Sequence, residues 1–200
     1  MRAQPPQLDE VGLGLGRIIK DANRAAEVLG RIRELIRKAP PQTQAVDVNA
    51  VVLEMVDFTR GEALKGRAQV HTVLAEGLPQ VQADRVELQQ VLLNLIINAL
   101  EAMLEVDEGC RELQISTAMS QDGVQVTVSD SGPGFAADNV ELVFAPFYTT
   151  KASGLGMGLS ICRSIVEAQG GQLTAARHHP RGATVQFTLA KMRFGGRCSS

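Results

Sequence analysis

The chain has 200 residues, 44% of them hydrophobic, enough for one ordinary core with a smaller appendage. Twenty basic against 22 acidic residues leave a formal net charge of −2, which excludes the electrostatic footprint of a nucleic-acid or anionic-membrane binder. Three widely separated cysteines, Cys110, Cys162 and Cys198, give neither a disulfide framework nor a zinc knuckle and suit a reducing cytosol. In chain order, Leu8, Val11, Leu15, Ile18, Ala22, Ala25, Leu29, Ile32 and Ile36 recur at steps of three and four, predicting a helix with a narrow apolar seam from about Arg17 onward. Pro40-Pro41 end it, and the seam suits a bundle or dimer better than a helix packed on its own domain. A cap at Asp47 or Asn49 opens a helix near Ala50 to Leu64, Ala68 to Leu74 alternates as a strand, and Val81 adds a short one. A long helix then runs from Asp84 to about Leu104. Its apolar run from Val91 to Leu100 is interrupted by two asparagines and is too short to span a bilayer, and no signal-peptide pattern marks the Met1 end.

Strands at Leu113 to Met119 and Val124 to Ser129 follow, joined by a turn at Asp122-Gly123. An irregular stretch reaches Ser153. A helix from about Gly158 to Ala168 is stopped by Gly170-Gly171, and strands return at Gln172 to Arg177 and Ala183 to Leu189. Helices alternating with mostly antiparallel strands predict an α+β two-layer sandwich, with the seam helix outside it. Residues from Lys191 to Ser200 lose the pattern and read as a tail.

Four places break the pattern. On the long helix, Glu87, Gln90, Asn94, Asn98 and Glu101 fall in one sector of about 80°, a polar stripe on a rod that is otherwise apolar. Asparagine is a poor helix former, and lysine or glutamate would serve plain solvent better, so the two amides point to a ligand. Their carbonyls are neutral hard oxygens suited to a magnesium ion that keeps waters and phosphate oxygens. In VSDSGPGF, Asp130 ends a core strand and Gly132 to Phe135 fits a type II turn. That carboxylate either caps the turn or accepts from an exocyclic amine such as adenine's. In LVFAPFYTTKASG, Phe144, Phe147 and Tyr148 either plug the core or form a lid. In GLGMGLSICRSIVEA, three alternating glycines open an amphipathic helix, where backbone N–H groups suit phosphate. The similar GLGLG at Gly12 to Gly16 shows how little such a triplet proves alone. Neither a Rossmann fingerprint nor a P-loop is present.

Taken in order, NLIINALEAM, VSDSGPGF, FAPFYTTK and GLGMGLSI resemble the N, first glycine, F and second glycine boxes of bacterial sensor histidine kinases, and GATVQF resembles that family's last strand. The resemblance covers Val46 to Leu189. It implies the Bergerat-type ATP-binding fold shared with gyrase, mismatch-repair and heat-shock-chaperone ATPases, a mixed sheet covered on one face by helices. RAAEVLGRIRELIRK is similar to the second helix of the kinases' dimerisation hairpin, so residues 1–41 are assigned to that helix, 46–190 to the catalytic ATP-binding domain and 191–200 to a tail. NALEAM and FYTTK resemble the nitrogen-fixation and dicarboxylate sensor branch.

By position, the resemblance implies that Asn98 holds Mg2+, Asn94 sits beside the phosphates and Asp130 takes the adenine amine. Gly132 and Gly134 let the chain pass the base, Lys151 reaches a phosphate, and Gly154, Gly156, Gly158 and Leu159 wrap the triphosphate. Thr184 touches adenine through water. The implied partners are ATP or ADP, a histidine-bearing dimerisation helix and a response regulator, with a homodimer in the full-length form and no nucleic acid. The implied location is cytoplasmic, alone or as the cytoplasmic part of a membrane-anchored sensor.

One departure matters. The family phosphorylates a histidine that an acidic residue follows, on the first hairpin helix. Here His71 falls on a predicted strand and His178-His179 in a predicted turn, so the expectation is a catalytic half without its nucleophile. Two other functions compete. Gyrase-like hydrolysis needs a glutamate where this chain has Asn94, an amide that is no useful base at neutral pH. A non-enzymatic dimerising adaptor would use the seam alone.

Overall fold

The computed structural model describes residues 42–104, 106, 110–121, 123–135, 140–151, 155–177 and 181–191. The seam helix assigned to 1–41, the tail beyond Lys191, Asp122 of the hairpin turn, Gly154 and His178-His179 lie outside the described residues. From Gln42 the chain runs β1 (Thr43–Val46), α1 (Val48–Phe58), α2 (Arg60–Lys65), β2 (Ala68–Leu74), β3 (Val81–Asp84) and α3 (Arg85–Leu104). It continues with β4 (Arg111–Met119), β5 (Gly123–Asp130), a 3-10 turn (Val140–Phe144), α4 (Gly158–Ala168), β6 (Leu173–Arg177) and β7 (Ala183–Ala190).

Five strands form one mixed sheet in the order β2-β4-β5-β7-β6. The β2–β4 pair is parallel and the remaining pairs are antiparallel. Period-two alternation decides which face the helices cover. Leu113, Ile115 and Thr117 of β4, Val124, Val126 and Val128 of β5, and Val185, Phe187 and Leu189 of β7 are all buried on it. From α3 the sheet receives Leu88, Val91, Leu92, Leu95, Ile96, Ala99, Leu100 and Met103, a continuous apolar face on a 20-residue helix. The opposite face of the sheet carries half-buried Ser, Thr and Gln side chains such as Thr127, Ser129 and Gln186.

Local chemistry explains the element ends. Asp47 caps α1 by accepting from Ala50 N at 3.2 Å, and Asp84 caps α3 by accepting from Val86 N at 3.0 Å. The single helix expected near Ala50 to Leu64 is two. Thr59 interrupts it, its hydroxyl donating back to Met55 O at 2.7 Å while its backbone rests at φ −89°, ψ 0°. Strand β1 is not legible in the sequence, because only Val46 of its four residues is buried. It exists by antiparallel pairing with β3, Val46 against Val81 and Thr43 against Asp84. Gly134 has φ +77°, as the third position of a type II turn requires.

Candidate functional site

The site starts from the pleat of β5. Val124, Val126 and Val128 point to the helix layer, so Asp130, two residues on, points there too and is only 8% exposed. One carboxylate oxygen accepts from Gly132 N at 2.8 Å and from Ala183 N at 3.3 Å. These bonds fix its direction and offset part of the cost of burying a charge. The chain beyond it must be glycine. A Cβ at Gly132 would stand 2.9 Å from that oxygen and 3.3 Å from Ala102 of α3, so nothing but hydrogen lies between the turn and the helix. Ser131 anchors the same corner, its N–H donating to Glu112 O at 3.1 Å and its hydroxyl accepting from Glu112 N at 2.9 Å.

The polar stripe on α3 faces α4 and the loop before it rather than open solvent. At one end Glu87 accepts from Gln169 Nε2 at 2.9 Å. Asn94 interacts with the side chain of Cys162, a fully buried thiol on α4 whose Sγ lies 3.9 Å from Val91 O. Burial pushes that thiol up to about 12, and the Asn94 contact opposes the rise only in part. Asn98 is half-buried, and a Cβ on Gly158 would come within 3.5 Å of its Nδ2. Glu101 at the far end is bound by Lys151 Nζ at 2.7 Å. The two asparagines therefore line the seam between α3 and the first turn of α4.

That first turn lacks a side-chain cap, as does that of the short helix α2. Asp47 and Asp84 cap α1 and α3, whereas the N-terminus of α4 at Met157 receives no side-chain cap. Its leading N–H groups, at Gly158 and Leu159, sit at the positive end of the helix dipole, and Gly158 lies beside Asn98. Gly156 holds φ +65°, and a Cβ there would lie 2.6 Å from backbone carbons of Phe147 and Tyr148. The glycine run thus packs backbone to backbone against the aromatic segment. The three aromatics divide the roles expected of them. Phe144 is buried, Tyr148 packs partly on the core, and Phe147 is 74% exposed at φ +67°. Arg163 of α4 holds the segment down, 4.8 Å from the Phe144 ring centroid and 3.0 Å from Glu141.

Asp130, Gly132, Asn94, Asn98, Gly156, Gly158, Leu159 and Lys151 are thus arranged around one helix layer, and Gly134 closes the corner beside Asp130. Thr184 is not brought there. It alternates with buried Ala183 and Val185, so it lies on the opposite sheet face, where its hydroxyl is 2.9 Å from that of Ser129. Ala183 is the residue that meets Asp130, a position the sequence reading missed by one. The signal was available, since Val185 and Phe187 fix which face of β7 is inward. Ser131 and Arg163 were also missed; neither belongs to an apolar period, and each works through partners distant in sequence.

Residues 83–193 match the family described as Histidine kinase-, DNA gyrase B-, and HSP90-like ATPase, more than half of the chain. The chain belongs to this family. Within the family it is similar to sensor histidine kinases. The sensor protein FixL of Bradyrhizobium diazoefficiens is 37% identical over 185 residues, 92% of this chain and 36% of FixL. The C4-dicarboxylate transport sensor protein DctS of Rhodobacter capsulatus is 39% identical over 170 residues, 84% of this chain and 25% of DctS. The chain therefore spans about a third or less of these relatives. The solved catalytic domain of histidine kinase ThkA shares the fold at a TM-score of 0.65 and 28% identity, covering 75% of this chain and 96% of that domain. This family's mixed sheet with one helical layer is the architecture expected from the resemblance, and it is what the described residues form. The seam helix, and with it the division of the chain at residue 41, is not decided by these matches.

Proposed function

We propose that this chain is the catalytic ATP-binding part of a sensor histidine kinase, which binds Mg2+ and ATP for phosphoryl transfer to a histidine on a dimerisation helix. The observation that carries the reading is the inward carboxylate of Asp130, whose turn at Gly132 lies against Ala102 of α3, one turn from Asn98, which itself sits beside Gly158 at the uncapped start of α4. Asp130 accepts from the exocyclic amine of adenine. Guanine presents an acceptor at that position and is repelled. The absence of a side chain at Gly132 lets the turn close against α3 and keeps the carboxylate aimed by its bond from Gly132 N. N–H groups at the start of α4 donate to phosphate, and Lys151 supplies a cation beside them.

The side chains fit a magnesium ion in a particular way. Among the described residues no cluster of three His, Cys, Asp or Glu side chains could hold a metal, and the Asn98 carbonyl is the neutral hard oxygen that would hold Mg2+ together with phosphate oxygens and water. When bound, Mg2+ draws charge from the phosphate oxygens and so favours departure of the terminal phosphoryl group. At the position where gyrase-like hydrolysis needs a glutamate stands Asn94, which cannot take a proton from water; this disfavours hydrolysis and leaves the nucleophile to a partner. His71, the histidine among the described residues, is exposed on β2 at the sheet edge. ThkA is known in complex with the response regulator protein TrrA, which supports a response regulator as downstream partner. Among the described residues no helix is long and apolar enough to cross a membrane, compatible with a cytoplasmic location. Similarity to FixL and to the C4-dicarboxylate transport sensor protein DctS supports the nitrogen-fixation and dicarboxylate branch.

The test is transfer. With γ-labelled ATP and Mg2+, the chain alone gains no acid-labile label. Adding a histidine-bearing dimerisation hairpin in trans places label on the hairpin's histidine. Free phosphate released at ordinary enzymatic rates without a hairpin would instead establish hydrolysis.

A further inference from the structure

The stripe on α3 does not end in an amide. Glu101 stands one turn beyond Asn98, so a triphosphate brought to the asparagines meets a like charge at close quarters. The fold gives that carboxylate a counter-charge from another element, with Lys151 Nζ 2.7 Å from Glu101 Oε2. It is a long-range pair, like Arg85–Glu54 and Arg163–Glu141 and unlike the local Lys65–Glu62 and Arg163–Glu167, and across 50 positions it ties the end of the stripe to the segment before α4. Lys151 is also the more covered lysine, its side chain 28% exposed against 73% for Lys65. Its backbone N–H donates to Thr149 Oγ1 at 3.1 Å, which fixes the turn from which the ammonium reaches α3. A lysine held by a half-exposed carboxylate one turn from Asn98, which sits beside Gly158, is poised for exchange, because a triphosphate brought there offers it more negative charge than Glu101 does.

We propose that Glu101 is an internal stand-in for phosphate: it occupies Lys151 in the nucleotide-free protein and yields it when ATP binds, so that Glu101 sets how tightly the site holds nucleotide. The inference rests on the ATP reading above. In the free protein the pair neutralises both charges. In the bound protein Lys151 turns to the phosphates and Glu101 to water, where half of its side chain already lies.

Calorimetric titration of Mg2+ and ATP into the 200-residue chain tests it through a double-mutant cycle. Glu101→Gln is expected to tighten ATP roughly two- to five-fold, the range that follows from the strength of a partly exposed ion pair. Lys151→Met weakens it, and in that background Glu101→Gln changes nothing. The exchange is overturned if Glu101→Gln leaves ATP affinity unchanged or lowers it. It is equally overturned if the gain persists in Lys151→Met, since plain repulsion would then be the cause. A wild-type chain that binds no ATP sinks the nucleotide reading along with the exchange, whereas ATP binding with an unresponsive Glu101 sinks the exchange alone.

Discussion

Asp130 reaches the helix layer because it holds the next inward position after Val124, Val126 and Val128, and the same pleat sends Thr184 the other way. Residue identity named both as candidates; only the facing of each strand separates them. Replacing Thr184 with Val is accordingly expected to leave ATP affinity within about two-fold, since the change lies across the sheet from the carboxylate. Gly156 shows the opposite dependence. Its positive φ and the 2.6 Å approach to the Phe147 and Tyr148 backbone leave no room for a methyl group. Gly156→Ala should therefore lower stability by more than about 1 kcal/mol and weaken ATP binding, read by urea denaturation and by titration. Ala-like behaviour at Gly77, where a Cβ meets nothing within 4 Å, supplies the comparison site for space, since its φ is also positive.

At the scale of elements, the association of α3 with α4 builds the site, and a buried thiol lies in the seam. The stripe of Glu87, Gln90, Asn94, Asn98 and Glu101 was legible from its angular spacing, because a helix writes its faces into the sequence every few residues. What the stripe touches was not legible. Cys162 approaches Val91 from 71 positions away, Gln169 approaches Glu87 from 82, and no local pattern encodes such pairings. The break between α1 and α2 escaped for a different reason, since a threonine mid-helix can point outward as easily as bond backward. The thiol gives a pH test. The folded pKa of Cys162 is raised from an ordinary 9.0 to about 12, first by burial, so the native state keeps the proton longer than the unfolded chain. The stability contributed by burying it neutral is complete below about pH 9 and is lost as pH rises toward about 12. In urea denaturation, the advantage of wild type over Cys162→Ala should shrink between pH 9 and 11 by up to about 1.4 kcal/mol per unit. An advantage constant with pH would mean that the thiol is not held neutral.

In the whole molecule, ATP binding as proposed needs base recognition at Asp130 and phosphate recognition at Asn94, Asn98 and the start of α4, with the Gly132 turn against Ala102 of α3 between them. Alternating strands, one long helix and four boxes in order made this architecture readable from the sequence. The short β1–β3 ladder was not, since it rests on pairing rather than on a pattern of its own. The most direct measurement is a comparison of ATP and GTP, each titrated with Mg2+ into wild type and Asp130→Asn. Wild type is expected to bind ATP at least about tenfold more tightly than GTP, and Asp130→Asn to lose at least about tenfold in ATP affinity, the worth of one buried charge-assisted hydrogen bond. Equal binding of the two nucleotides, or wild type and mutant titrating alike, would contradict this expectation.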